Sequence, residues 1–318
     1  MAAQYLVPDA QLIAARAEML YLHSPVHLLR GLPSEPQQKE YGTGAATNFG
    51  AKAGEEIVTM AGGVGQWLLQ HLSWDSEYFE TPTYRLFTGL FKSNELPLAL
   101  GKAAAELREQ LAQRGPYYAF SIVPAEDIAL LQALTSGGWQ LIETRLHFHC
   151  PVAEAALPAP ASVRLAQSGE ATSIGRIAAT ARNVYDRFHA DPWFGEDRAD
   201  AFLARYAEAA VAGTYADAVL LPDEPELPVD SFLAIGDSPD VDGLGHGGFS
   251  RVLLTAVGPR NRGWHQKLVA ETVRRAAKLN FEHVLMTTQA TNRAVFRTCE
   301  KLGFRLGATS HVLACHSK

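Results

Sequence analysis

The stretch that most constrains this chain is Val252 to Leu268, in the context RVLLTAVGPRNRGWHQKLVAE. A run of leucine and β-branched residues reads as a strand, Gly258-Pro259 as a turn, and the residues after the turn as a helix. The first turn of a helix leaves backbone N–H groups without partners and carries the positive end of the macrodipole, so an anion placed there meets donors and favourable charge together. Arg260, Arg262 and Gly263 stand where such an anion would be held. Glycine lets the backbone approach a ligand, and arginine forks onto phosphate oxygens. The same residues also read as a buried strand followed by an amphipathic helix with solvated arginines.

The next segment adds a second strand, HVLMTTQA, then Asn292 and a helix, NRAVFRTCEKLGF. Together these resemble the acetyl-coenzyme A half of the Gcn5-related N-acetyltransferases (GNAT). In that superfamily an Arg/Gln-x-x-Gly-x-Gly/Ala turn holds the cofactor pyrophosphate, the next strand splays away to admit the pantetheine arm, and an Asn with its helix closes the site. Arg260 and Gly263 match the turn, while His265 stands where Gly or Ala is usual. The resemblance implies an α/β (α+β) GNAT fold, a mixed central sheet flanked by helices. It implies acetyl-CoA as co-substrate, held by Ala256, Val257, Arg260, Arg262, Gly263, Trp264, His265, Gln266 and Asn292.

At 318 residues the chain is long enough for two domains, and with 47% hydrophobic residues it reads as packed and globular. A net charge of −6 argues against a broad phosphate-backbone footprint, so no nucleic acid partner is expected. The three cysteines, Cys150, Cys299 and Cys315, are scattered without C-x-x-C spacing and read as reduced thiols. No apolar run approaches the ~20 residues of a membrane helix, and Asp9 precedes the first basic residue of an amino terminus without a continuous apolar core. No membrane partner and a cytoplasmic location are the expectation.

In chain order, residues 1–70 read as an amino-terminal extension. A helix from Asp9 to about His23 is followed by Gly- and Pro-rich loops between Pro25 and Gly65, then an apolar bridge at Trp67 to Leu69. Residues 71–150 read as a small α/β domain: short strands between Leu72 and Phe91, a helix over about Leu98 to Arg114, a strand YYAFSIV, a helix PAEDIALLQALTSGGW and a strand QLIETRLHFHC. Residues 151–161, a Pro/Ala stretch, form the linker. Residues 162–318 give strand, helix, loop, helix and two strands before the stretch described first, and FRLGATSHVLACHS reads as a closing pair of strands. This is the acetyltransferase order.

Within the superfamily, the chain from about Leu72 looks like the dTDP-fucosamine acetyltransferases, on the motifs LSWDSEYF, LIETRLHF, YDRFHADPWF and TQATNRAVFRTCEKLGF. Those enzymes carry a partial GNAT-like domain ahead of the complete one. The resemblance puts the general base for a sugar amine at Glu143 and the position of the family's tyrosine acid at Cys299. From the residues alone, Glu143 reads as a salt-bridge partner and Cys299 as a small buried hydrophobe. Arg187, His189 and Asp191 of RFHADP resemble the family's acceptor-side loop, which implies that an arginine there meets the nucleotide diphosphate, and a helix-to-helix connector with a local Arg-Asp pair is the other reading. His147 and His149 share a strand face but have no further ligand cluster nearby in sequence, so no metal site is expected. The leading function is therefore an acetyl-CoA-dependent N-acetyltransferase of a small-molecule amine, first of all a nucleotide-linked amino sugar. The alternative is a catalytically degenerate binding or regulatory protein of the same fold. A third, transfer from aminoacyl-tRNA, fits the acidic charge poorly. A homodimer is compatible with all three readings.

Overall fold

In the computed structural model, which describes residues 6–239, 245 and 247–317, the chain divides into two units. The first is Met1–Thr144 with Thr309–Lys318 and the second is Arg145–Ala308. The first unit opens with four short helices, α1 (Ala10–Ala15), α2 (Ala17–Tyr21), α3 (Ser34–Glu40) and α4 (Thr43–Thr47). Strands β1 (Glu55–Thr59) and β2 (Gly65–His71), helix α5 (Ser73–Phe79), strand β3 (Thr83–Phe91) and helix α6 (Pro97–Gln113) follow. Then come β4 (Tyr117–Pro124), α7 (Ile128–Ser136) and β5 (Gln140–Pro151), which runs on into the second unit. The second unit continues with β6 (Val163–Leu165), α8 (Ala171–Thr180), α9 (Arg187–Ala190), α10 (Glu196–Val211), β7 (Ala218–Pro222) and β8 (Ser231–Ser238). It closes with β9 (Phe249–Val257), α11 (Trp264–Lys278), β10 (His283–Gln289) and α12 (Arg293–Leu302), and β11 (Arg305–Ser317) returns the chain to the first unit.

Within the first unit the strand order is β1-β2-β3-β4-β11, antiparallel except for the parallel β3–β4 pair. Successive residues send their side chains to opposite faces. Trp67 and Leu69 pack with α6 and α7, while Leu68 packs with Leu12, Ile13 and Ala46 of the amino-terminal helices and with Phe49 of the turn after α4. The second unit has the order β5-β10-β9-β8-β7-β6, with β9–β10 the parallel pair. Leu233 and Ile235 face Leu268, Val273 and Leu302 of α11 and α12, and Phe232 and Ala234 face Ile174 and Ala207 of α8 and α10. Each unit is thus a mixed sheet with apolar cores on both faces, which is why its central strands read as nearly continuous hydrophobic runs.

The structure revises three expectations. The expected extension of residues 1–70 is no separate segment: α3, α4, β1 and β2 belong to the first unit, and α1 and α4 cover one face of its sheet. LSWDSEYF forms the helix α5 over Ser73–Phe79, and Ser76 Oγ, donating to Leu72 O and accepting the Thr83 N–H, ties this helix to the start of β3. The closing pair of strands is one strand, β11. Among the described residues no helix is long and apolar enough to cross a membrane.

Candidate functional site

Strands β9 and β10 pair in parallel only from Phe249–Val252 with His283–Met286, after which β9 continues to Val257 and β10 to Gln289 without pairing to each other. On its other edge β9 stays bonded to β8 as far as Val257, across a bulge in which Leu253 is the extra residue between Val252 and Leu254. Leu253 and Leu254 consequently pack on the same core, as a bulge requires. Beyond the bulge, Leu254 to Val257 have no β10 partner on that edge, and such an edge offers backbone donors and acceptors to a ligand.

The strand ends in a turn fixed by Asp230. The Gly258 N–H donates to Asp230 O (2.6 Å) and the Arg260 N–H to Asp230 Oδ2 (2.8 Å). A Cβ on Gly258 would stand 2.4 Å from the Asp230 carboxyl, so glycine is required there. Buried Asn261 donates through Nδ2 to Pro228 O (3.1 Å) and Ser231 Oγ (3.0 Å). Gly263, at φ 89°, is the cap of α11 and brings no side chain to its first-turn N–H groups, and Arg262 and Gly263 are exposed beside them. Parted strands with a bulge lead into an uncapped helix N-terminus with an exposed arginine, an arrangement suited to an extended ligand with an anionic end.

No family model matches the sequence, and no curated protein matches it either. Solved structures do. A GCN5-related N-acetyltransferase from Sphaerobacter thermophilus aligns over 98% of this chain and 94% of its own, at 12% identity and TM-score 0.58. A tandem GNAT protein from the clavulanic acid biosynthesis pathway aligns over 97% and 95%, at 13% identity and TM-score 0.51. A fungal multi-domain GH3 β-N-acetylglucosaminidase with a GCN5-related glucosamine N-acetyltransferase region aligns over 95% of this chain and 37% of its own, at 12% identity and TM-score 0.55. The chain has the GNAT fold.

The residues expected to line a GNAT cofactor cleft fall around this one unequally. Ala256 and Val257 lie on the unpaired reach of β9, with Ala256 buried. The Arg260 guanidinium stands 3.6 Å from Asp230 Oδ1, which leaves Arg262 as the arginine of the turn with no carboxylate beside it among the described residues. Trp264, the first residue of α11, is buried with Lys267 Nζ 4.3 Å above its ring, and Gln266 is half-buried on the first turn. His265 turns toward α12: Nδ1 lies 3.0 Å from Thr298 Oγ1, and buried Nε2 has no hydrogen-bond partner among the described residues. Burial pushes its imidazole down to about 4, so at neutral pH the ring is uncharged. Asn292 caps α12 by accepting the Val295 N–H (3.3 Å).

Cys299 is fully buried in the core beneath α11 and α12, and burial, with Cys150 adding to it, pushes its thiol up to about 12. Such a thiol is a weak proton donor at neutral pH and packs as a small hydrophobe. Glu143 is buried on β5, within the first unit. Arg187 is buried with its guanidinium 4.3 Å over the Phe188 ring. His189 has both ring nitrogens on carboxylates, Nδ1 on Asp186 (2.9 Å) and Nε2 on Asp200 (2.9 Å), so it ties α9 to α10 and keeps no nitrogen for a ligand. His147 Nδ1 meets Thr287 Oγ1 at 3.1 Å, and no group of three or more His, Cys, Asp or Glu among the described residues is placed to hold a metal ion.

Sequence reasoning passed over Asp230 and Asn261. Asp230 acts on a turn thirty residues away in the chain, and nothing local marks it. The signal within reach was Gly258-Pro259, whose glycine is explained only by the carboxyl beside it.

Proposed function

We propose that the protein is an acetyl-CoA-dependent N-acetyltransferase acting on a small primary amine by direct attack on the thioester. The observation that carries this reading is the parting of β9 and β10 beyond the Leu253 bulge, toward the uncapped first turn of α11 with Arg262 exposed beside it. Arg262, Gly263 and the first-turn N–H groups would hold the pyrophosphate, and the unpaired edge from Leu254 to Val257 would receive the pantetheine arm. A backbone N–H of that edge would donate to the oxyanion that develops at the thioester carbon. An ammonium cannot attack, so a base is needed, and the motif LIETRLHF alone assigns it to Glu143. His265 supports the turn from behind, and Cys299 is assigned to packing.

A nucleotide-linked amino sugar is the first acceptor to test. The motif likeness to the dTDP-fucosamine acetyltransferases supports it, and the fungal protein of similar fold carries a glucosamine N-acetyltransferase region. A second reading, a GNAT-fold protein that binds without turnover, is favoured by the burial of Cys299 at the position of the family's acid. Release of free thiol from acetyl-CoA over a panel of amino-sugar nucleotides and simple amines separates the two. Amine-dependent release supports the transferase, and binding of acetyl-CoA without release by any amine supports the second reading.

A further inference from the structure

The first unit repeats the cleft of the second. Strands β3 and β4 pair in parallel only from Thr83–Leu86 with Tyr118–Ser121, and then part, as β9 and β10 do. Each first strand carries a bulge at the residue after its last parallel pair, Phe87 in β3 and Leu253 in β9. A helix follows each, α6 and α11, and the helix after each second strand is capped by a side chain on its third N–H. Asp127 accepts from Leu130 in α7 and Asn292 from Val295 in α12.

What fills the gap differs. In the first unit Arg16, at the junction of α1 and α2, reaches into it. Its Nε donates to the carbonyl of Gly89, on the part of β3 that β4 has left (3.2 Å), and its two terminal nitrogens grip both oxygens of Asp127, one of them at 3.0 Å. The guanidinium lies 4.3 Å over the Phe91 ring, and Arg16 and Asp127 are 5% and 1% exposed. The guanidinium thus meets a carbonyl, a carboxylate fork and an aromatic plane. The first turn of α6 also offers one backbone donor fewer than that of α11: its cap is Leu96 followed by Pro97, which has no N–H, where α11 has Gly263 and Trp264.

We infer that the parted strands of the first unit form a guanidinium-binding cleft whose resident ligand is Arg16 of this chain's own amino-terminal helices. The gap that would admit a cofactor arm is filled in cis, and the chain keeps one open cleft, in the second unit. Only the count of cofactor sites rests on the proposed function.

The test is chemical rescue of full-length protein. Arg16→Ala empties the cleft and leaves the Asp127 charge buried, so the unfolding midpoint should fall by several degrees. Ethylguanidinium at ~20 mM, which binds the folded state only, should recover at least half of that loss. Ethylammonium at the same concentration should not, and neither cation should raise the wild-type midpoint. Rescue should vanish in Arg16→Ala/Asp127→Asn. Equal response to both cations, no response to either, or rescue that persists without Asp127 overturns the inference. If Arg16→Ala does not accumulate as folded protein, Arg16→Lys replaces it: a point ammonium cannot span carbonyl and fork, and a midpoint equal to wild type is the overturning result. Counting acetyl-CoA sites on the wild type should give one per chain. Two sites refute the filled cleft, whereas none refutes the proposed function and leaves the rescue result standing.

Discussion

His265 offers the sharpest test of how the turn before α11 is held. Its imidazole is buried behind the first turn of α11, bonded to Thr298 Oγ1 at 3.0 Å, and burial holds it down at about 4 against an ordinary 6.5. The folded value lies below the unfolded one, so the unfolded chain takes up the proton first. The histidine therefore costs nothing above pH 6.5 and destabilises progressively as the pH falls toward 4. With those two values the cost reaches about 2 kcal/mol at pH 5, at 1.36 kcal/mol per unit of difference. His265→Gln keeps a hydrogen-bonding partner for Thr298 and removes the titration, so at pH 8 its stability should match wild type within about 1 kcal/mol. Urea unfolding of both proteins at pH 8, 6.5 and 5 measures the difference. His23, which burial and the nearby Arg85 and Arg16 push down to about 3, is present in both proteins and cancels. The wild type should lose about 2 kcal/mol more than the variant between pH 8 and 5. Parallel curves would show that the ring is not buried as described, and a wild type gaining on the variant at pH 5 would show that it meets an anion.

Three further outcomes are expected. Asp230→Asn keeps an acceptor for the Arg260 N–H and removes a negative charge from the turn, so acetyl-CoA should bind severalfold more tightly at low salt, an advantage that shrinks as salt is added. Glu143→Gln should lower amine-dependent thiol release by about 100-fold or more with acetyl-CoA affinity unchanged, as expected for loss of a base, and an unchanged rate removes Glu143 from the mechanism. Cys299→Ala should release thiol at a rate within about twofold of wild type while losing about 1 kcal/mol of stability from the space left in the core, and a collapse in rate with the fold intact would make it the acid.

The second unit was legible because its signals are local. Strand, Gly-Pro turn, helix and Asn cap succeed one another between Val252 and Leu302, and each is set by residues within a few positions of it. The amino-terminal part was not, because α3 and α4 are too short to stand on propensity and are held by distant partners. Gln37 bonds Ser24, Gln38 bonds the carbonyl of Ala17, and Phe49 stacks on Phe87 of β3. Arg16 meets Asp127 across more than a hundred residues, and no spacing rule connects them. At the site, the arginines and Gly263 were visible from the turn pattern, but which arginine is engaged depends on Asp230, a tertiary neighbour. The direction of His265 depends in the same way on Thr298 of α12.

The central claim is that the parted strands and the α11 turn of the second unit hold acetyl-CoA, and its most direct test is calorimetric titration of the full-length protein with acetyl-CoA, alongside Arg262→Ala. The account predicts saturable binding by the wild type. It also predicts a loss of about 10- to 100-fold in Arg262→Ala, the size of a charge-assisted hydrogen bond to phosphate. Absence of binding by the wild type at millimolar acetyl-CoA, or an Arg262→Ala variant that binds as tightly as the wild type, would contradict it.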